Sequence, residues 1–142
     1  MGAIENKRVV EEYIQAINAH DVDRVVSFYA EAGVRNAVGM AVISGREDVK
    51  AFYRMTFTAI PNVKLSDLRV MADDEGACAE WEETATNIGA SQMYDGTAAP
   101  PTGRSYTARF AAHYTIRDGL ITEERLFVNY LDVFKQLGLL PS

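Results

Sequence analysis

Crosslinking cannot hold this chain together, because its 142 residues contain one cysteine, Cys78, and an intrachain disulfide needs two. Stability has to come from a packed core. That is within reach, since a domain of this size buries roughly 70% of the surface its unfolded chain exposes. Histidine is almost as scarce. His20 and His113 are the only two, they stand far apart, and neither has a second His or Cys at ligand spacing, so no metal site is expected. Basic clusters are also missing: nothing longer than Lys7-Arg8 interrupts a balance of 20 acidic to 14 basic residues, a net charge of −6. Nucleic acids and anionic membranes are recognised by grouped cations, so neither is an expected partner. No apolar run approaches transmembrane length, and Met1–Arg8 lacks the apolar core of a signal peptide, which makes cytoplasmic the expected compartment. The motif record is equally bare. There is no strand-then-helix G-x-G-x-x-G, no G-x-x-x-x-G-K-[ST] and no G-x-S-x-G, hence no sign of a nucleotide cradle or a serine nucleophile, and no cofactor is expected. Cys78, in a strand-like segment, reads as a small packed hydrophobe.

What the chain does have is clear periodicity. Residues from about Ile4 to Ala19 carry Val9, Val10, Tyr13, Ile14 and Ile17 on one helical stripe. Asp21 is placed to cap a second helix bearing Val22, Val25, Val26 and Tyr29. A third is expected from Ser44, where Ser44 and Glu47 match a capping box, with Val49, Phe52, Tyr53, Phe57 and Ile60 as its stripe and Pro61 as its stop. A short strand around Val34–Ile43 falls between the second and third helices. Beyond Pro61 the period becomes two, predicting strands near Val63–Ala72, Ala77–Asn87, Tyr106–Ile116 and Leu120–Val128. Arg117-Asp118-Gly119 is a hairpin signal between the last two, and Leu131–Leu137 reads as a short closing helix ended by Gly138. Gly89–Ser105 is the one long irregular connection, of a length used for lids and equally compatible with disorder. Helices first and a meander afterwards predict an α+β fold, one domain spanning residues 1–142, with a curved, mostly antiparallel sheet wrapped by three N-terminal helices and closed by a short C-terminal one.

Two sets of side chains carry possible chemistry. Tyr13, Tyr29 and Tyr53 each sit among aliphatic residues on an apolar stripe, so inward packing would gather three hydroxyls. Buried phenols need partners, and linked phenols polarise one another into stronger donors toward a carbonyl oxygen. Three separate backbone partners would satisfy them equally well. On the sheet, Ala77, Ala79, Trp81 and Ala85 share a parity that also includes Glu83, and Ala108, Phe110, Ala112 and Tyr114 share one on the next strand. Glu124 alternates with Leu126 and Val128. Parity allows both carboxylates to point inward, where desolvation would raise their pKa toward acid–base usefulness; a different strand register or a sheet edge would instead expose them. Arg35, Arg109 or Arg125 could partner them. His113, one residue out of the inward register, suits a surface or dimer contact.

These pieces together resemble the SnoaL-like, polyketide-cyclase-like branch of the nuclear-transport-factor-two-like superfamily along nearly the whole chain. The segments that carry the resemblance are Tyr13 with Asn18-Ala-His-Asp21, Ser44-Gly-Arg-Glu-Asp48, and Trp81 through Thr86-Asn87-Ile-Gly89. Pro100-Pro-Thr-Gly-Arg104, Arg117-Asp-Gly119 with Ile121, and Gln136-Leu-Gly-Leu-Leu-Pro141 complete it. The resemblance implies a cone-shaped α+β fold with a deep pocket, commonly dimeric through the outer sheet face, here near Arg109, Ala111 and His113. Members of the superfamily close rings by aldol chemistry, move double bonds, open epoxides or dehydrate, and others only bind, so the fold does not name the activity. The three tyrosines match the hydrogen-bonded network of some ketosteroid isomerases, relatives that pair a tyrosine donor with a protonated Asp. Other positions depart. Asn36 stands where those isomerases carry their proton-shuttling Asp, Ala112 where they carry a second acid and the cyclases a His, and Leu126 where the cyclases carry an Asp.

Two functional expectations follow. One is a cofactor-independent isomerase, cyclase or lyase for a small hydrophobic carbonyl compound of polyketide or terpenoid type. In it Tyr13 holds the oxygen, Asn36 orients the substrate, and Glu83 or Glu124 supplies the missing base. The helical side of the pocket would present Tyr29, Phe52 and Tyr53. The strand side would present Trp81, Asn87, Phe110, Ala112 and Leu126. The other expectation is a pocket of the same fold that binds such a molecule without turning it over. A homodimer is expected in either case.

Overall fold

Apolar spacing in the first third of the chain makes helices that wrap a sheet formed by the rest, in a computed structural model that describes residues 2–92 and 97–140. Helix α1 (Ala3–Asn18) buries Val10, Tyr13, Ile14 and Ile17, the predicted stripe. After it the chain turns through His20 at φ 55°, and Asp21 caps α2 (Val22–Ser27) by accepting from the Arg24 amide at 3.1 Å. Here the pattern reading needs correction. The i, i+3, i+4, i+7 spacing places Tyr29 on this helix, but α2 ends at Phe28 and Tyr29 opens strand β1 (Tyr29–Ala37). A distant strand captures the chain there, because the Phe28 carbonyl takes the amide of Ile121 at 2.7 Å.

The single short strand expected around Val34–Ile43 is a hairpin, β1 followed by β2 (Ala41–Ser44), turning at Gly39 with φ 81°. Helix α3 (Arg46–Ala59) is capped by Gly45, not Ser44. Ser44 pairs with Val34 as the last residue of β2, and the Gly45 amide bonds to the Gly33 carbonyl at 2.8 Å, so the hairpin sets the helix start and no capping box forms. The helix stops at Ile60, just before Pro61, because a residue preceding proline is disfavoured in helical geometry.

Strands β3 (Lys64–Ala72) and β4 (Gly76–Thr86) follow. Within Gly89–Ser105, β5 (Ser91–Gln92) and β6 (Ala98–Ala99) form a small two-stranded sheet, and residues 93–96 of that connection lie outside the described residues. Next come β7 (Ser105–Arg117), β8 (Leu120–Phe127) and α4 (Tyr130–Leu137). Asp118 and Gly119 make the predicted tight turn with φ 53° and 77°, and Gly138 ends α4 at φ 74°.

The six long strands run in the order β2-β1-β8-β7-β4-β3, antiparallel throughout except for the parallel β1–β8 pair. Register shifts interrupt β1–β8, β3–β4 and β7–β8, with Asp67 at φ 51° inside the second. Bulges of this kind bend the bulged strand, and the sheet curves around a concave face that the helices close. Alternation then sorts the side chains. Ala77, Ala79, Trp81 and Ala85 are buried on that face, as are Phe110, Ala112, Tyr114 and Leu126. The opposite face is exposed. It carries Arg109, paired there with Asp67 and Glu80, together with Ala111 and His113. Cys78 lies on that outer face too, between Met71 and His113 in register, which corrects its reading as a packed hydrophobe. Strand parity decided its place, since Ala77 and Ala79 take the inner positions. None of the described helices is long and apolar enough to cross a membrane.

Candidate functional site

The concave face and the helices enclose a cavity of about 450 Å³ with a largely apolar lining. Its polar groups come from two neighbourhoods. The first follows from register. Arg35 on β1, Glu124 on β8, Tyr114 on β7 and Ala77 on β4 stand side by side across the sheet, so their side chains project into the same region. Helices α1 and α3 bring Tyr13 and Tyr53 down onto this row.

Glu124 is the hub of that neighbourhood. It is 2% exposed, and burying a carboxylate is costly unless it is paired and hydrogen-bonded. Arg35 Nε lies 3.2 Å from its Oε1, the Tyr29 hydroxyl donates to Oε1 at 2.9 Å, and the Tyr13 hydroxyl donates to Oε2 at 3.4 Å. Tyr13 also meets Tyr29 at 3.0 Å and makes a short hydrogen bond with Tyr53. A phenol has one proton. With Tyr29 donating to the carboxylate and Tyr13 donating inward, Tyr53 supplies the proton of the Tyr13–Tyr53 bond. The chain of hydroxyls therefore points toward Glu124. Burial first, then the Glu124 charge, raise the phenol pKa of Tyr13 and Tyr29 well above the ordinary value, and that of Tyr53 to about 12. All three stay protonated as donors. The Arg35 guanidinium covers the Phe52 ring at 4.2 Å and lies near that of Tyr53 at 5.8 Å.

The second neighbourhood surrounds Glu83 on β4, which lines the cavity and is half-buried. Its Oε1 accepts from Trp81 Nε1 at 3.2 Å, and its Oε2 accepts a short hydrogen bond from the Tyr106 hydroxyl. Among the described residues no cation lies within ion-pairing distance of it. Burial raises the Glu83 pKa above its usual value. Hydrogen bonds from Tyr106 and Trp81 and the more distant Arg35 charge offset part of that, and the Glu124 charge adds to it. Trp81 is held by a stacked contact with Phe110, ring centroids 5.9 Å apart.

Most of the residues expected from the sequence to form the site do reach this cavity. Tyr13, Phe52, Tyr53, Trp81, Glu83, Asn87, Phe110, Glu124 and Leu126 line it. Three do not. Tyr29 is buried, bonded to Tyr13 and Glu124, and does not line the cavity. Ala112 is buried in the core without lining the cavity. Asn36 is the sharpest correction. Arg35 and Ala37 line the cavity, so Asn36 between them takes the opposite face, in register with Val42 and Arg125, and it cannot orient a molecule bound inside. Asn87 lines the cavity, but its polar atoms serve the backbone. Oδ1 accepts from the Thr102 amide at 2.8 Å and Nδ2 donates to the Gly89 carbonyl at 3.1 Å. That clamp holds the connection against α3, where a Cβ on Gly89 would come within 2.1 Å of the Thr58 carbonyl oxygen.

Three contributors escaped the sequence reading as site residues: Arg35, Tyr106 and Tyr130, all lining the cavity. Arg35 was legible only as one of three possible partners for a carboxylate. Tyr106 signalled itself by sharing the parity of Phe110. Among the described residues, no three His, Cys, Asp or Glu side chains converge to hold a metal ion. His20 is used structurally, with Nε2 3.1 Å from the Val63 carbonyl and its ring stacked on Phe57 at 4.9 Å.

Comparison with known proteins agrees with this architecture. Residues 10–124 match the family model of the SnoaL-like domain. Among solved structures, a candidate polyketide cyclase from Xanthomonas campestris pv. campestris superposes with a TM-score of 0.83 at 23% identity, over 95% of this chain and 98% of its own. One from Pseudomonas putida KT2440 does so with a TM-score of 0.83 at 22% identity, over 93% and 97%. AclR, a candidate hydroxylase from Streptomyces galilaeus, gives 0.79 at 21% identity, over 99% and 89%. At these identities the likeness is one of fold. No curated protein matches the chain significantly.

Proposed function

The chain belongs to the SnoaL-like family, and from that premise we propose that it is a proton-transfer enzyme of the cyclase or isomerase kind, acting on a small hydrophobic carbonyl compound. The observation that carries this reading is Glu83. It is a carboxylate on the wall of an apolar cavity, held by two neutral donors and, among the described residues, by no cation, with its pKa raised by burial. A general base works best when its pKa lies near the working pH, and desolvation is a standard way to bring a glutamate there.

In the proposed reaction Glu83 removes a proton from the carbon next to a carbonyl group. The electron pair moves onto the carbonyl oxygen, where the Arg35 guanidinium on the cavity wall stabilises the developing charge. Glu83, now protonated, returns the proton to a different carbon for isomerisation, or to the new alkoxide after the enolate carbon has attacked a second carbonyl for ring closure. The apolar walls of Trp81, Phe110 and Phe52 suit a fused or cyclic carbon skeleton. The polyketide-cyclase names of two structural neighbours support the same substrate class.

The test is exchange of the α-protons of 2-tetralone for deuterium, followed by NMR with and without the protein. We expect acceleration by the wild-type protein, a loss of roughly 10²–10⁴-fold in Glu83→Gln, and an acid limb of the rate profile above the free glutamate value. Unchanged exchange in Glu83→Gln would sink the role of this residue. Binding of the ketone by the wild type without any exchange would leave the protein a binder.

A further inference from the structure

The neutral donors in the cavity wall are nearly all committed to the protein itself. Tyr53 donates to Tyr13 and Tyr13 toward Glu124, Tyr106 donates to Glu83, and the fully buried Tyr114 hydroxyl is turned to Glu124 beside it. Thr56 donates to the Phe52 carbonyl at 2.9 Å, and Trp81 Nε1 to Glu83 at 3.2 Å. One phenol of the lining differs. Tyr130, the first residue of α4, lines the cavity, is only half-buried and makes no hydrogen bond with the described residues. Unlike that of Tyr114, its hydroxyl keeps accessible surface. A phenol in an apolar wall wants a hydrogen-bond partner, and the free space of the cavity is where one can lie. Burial raises the Tyr130 pKa, the Arg35 charge lowers it, and the charges of Glu83 and Glu124 raise it again. The hydroxyl thus stands in the field of both polar neighbourhoods and stays protonated as a donor. Its helix is fixed over the cavity. β7 pairs with β8 only from Ala111 onward, and the Gln136 side chain takes up the edge before that point. Oε1 accepts from the Thr107 amide at 2.9 Å, and Nε2 donates to the Thr107 carbonyl at 3.0 Å. Val133 and Leu137 are buried beneath α4, and the Phe134 ring lies 6.0 Å from that of Tyr130.

We propose that Tyr130 is the neutral donor that holds a ligand oxygen in this cavity, which makes α4 part of the binding site. The occupant is an apolar body carrying a neutral acceptor, a ketone or aldehyde oxygen, directed toward α4. Two glutamates to one arginine line the cavity, a balance that does not favour a carboxylate ligand. Tyr130 lies beyond residues 10–124, the segment that matches the SnoaL-like model, so this contact belongs to the last helix of this chain. The inference rests on the proposed function only for the identity of that oxygen as the reacting carbonyl. The contact itself stands on the uncommitted hydroxyl.

The experiment measures binding of 2-tetralone and of tetralin, the same skeleton without the oxygen, to the wild-type protein and to Tyr130→Phe. Trp81, the only tryptophan, is on the cavity wall and reports occupancy by its fluorescence. We expect Tyr130→Phe to weaken 2-tetralone roughly 3–10-fold, the worth of a hydrogen bond between neutral groups, and tetralin less than about 2-fold. The infrared C=O stretch of the bound ketone, lowered by a hydrogen bond, should rise in the variant. Equal weakening of both probes would overturn the proposal and reduce Tyr130 to packing. Unchanged 2-tetralone binding, an unmoved C=O stretch, or no binding of 2-tetralone by the wild type would defeat it as well. The assay involves no turnover, so its failure is separable from that of the catalytic reading. Proton exchange that is lost in Glu83→Gln, with 2-tetralone binding unchanged in Tyr130→Phe, would sink this inference alone. A ketone-selective loss in Tyr130→Phe without any exchange by the wild type would sink the catalytic reading alone.

Discussion

Glu83 and Glu124 are the same side chain on the same concave face, on strands that flank β7, yet their surroundings make them different chemical objects. Glu124 is sealed in, paired with Arg35 and supplied by two phenols. Glu83 is half-buried, faces the cavity and, among the described residues, accepts only from an indole and a phenol, both neutral. A buried carboxylate with a guanidinium partner has its acceptor capacity taken up by the fold. A carboxylate desolvated without a cation holds a proton more readily and can give it back. Residue type did not decide which glutamate is structural and which is available for chemistry. Partners did, and a neighbour on β1 settled the matter for Glu124.

The largest effect expected from this contrast is in Arg35→Leu. Removing one partner of a buried ion pair strands the other, at about 3–5 kcal/mol. Urea unfolding near neutral pH should show that loss, and a change below 1 kcal/mol would mean that Glu124 is not held as a buried charge. Next in size is Tyr29→Phe, which takes a donor from Glu124 without opening space. A hydrogen bond to a charged group is worth about 1.5–3 kcal/mol. The same measurement should find this loss, with 2-tetralone binding unaltered because Tyr29 does not touch the cavity.

The smallest effect is the most diagnostic, since its sign depends on pH. The Glu83 pKa is raised in the folded state, so the native protein binds that proton more tightly than the unfolded chain does. The associated stability is present below the unfolded value and is lost as pH rises through the folded one. Glu83→Gln cannot titrate. Relative to wild type, it should gain stability on going from acidic to neutral pH. Melting curves across that interval read the trend. A trend of opposite sign would mean that Glu83 is stabilised in its charged form.

Much of this site was legible in the sequence, for a reason that holds within single strands and helices. Alternation put Glu83 in step with Trp81 and Ala85, and Glu124 in step with Leu126, and each is found on the cavity wall. Helical spacing likewise put Tyr13 and Tyr53 on inward stripes. Failures occurred where a partner remote in sequence intervened. Tyr29 continues the period of α2, but the amide of Ile121 on β8 takes the Phe28 carbonyl and draws Tyr29 into a strand. Ser44 fits a capping box, but pairing with Val34 holds it in β2.

Local periodicity by itself determined which faces of the helices and strands are apolar, the succession of helices followed by long strands, the tight turn at Asp118-Gly119 and the parity of the two glutamates. Those are properties of neighbouring residues and need no knowledge of the rest of the chain. Tertiary structure alone decided that Arg35 faces inward and Asn36 outward, and that among the described residues Glu124 meets a cation while Glu83 does not. Each of these depends on the register of β1 and β7 against β8. A shift of one residue in that register would exchange the two faces of a strand, and what sets it is the packing of segments from opposite ends of the sequence.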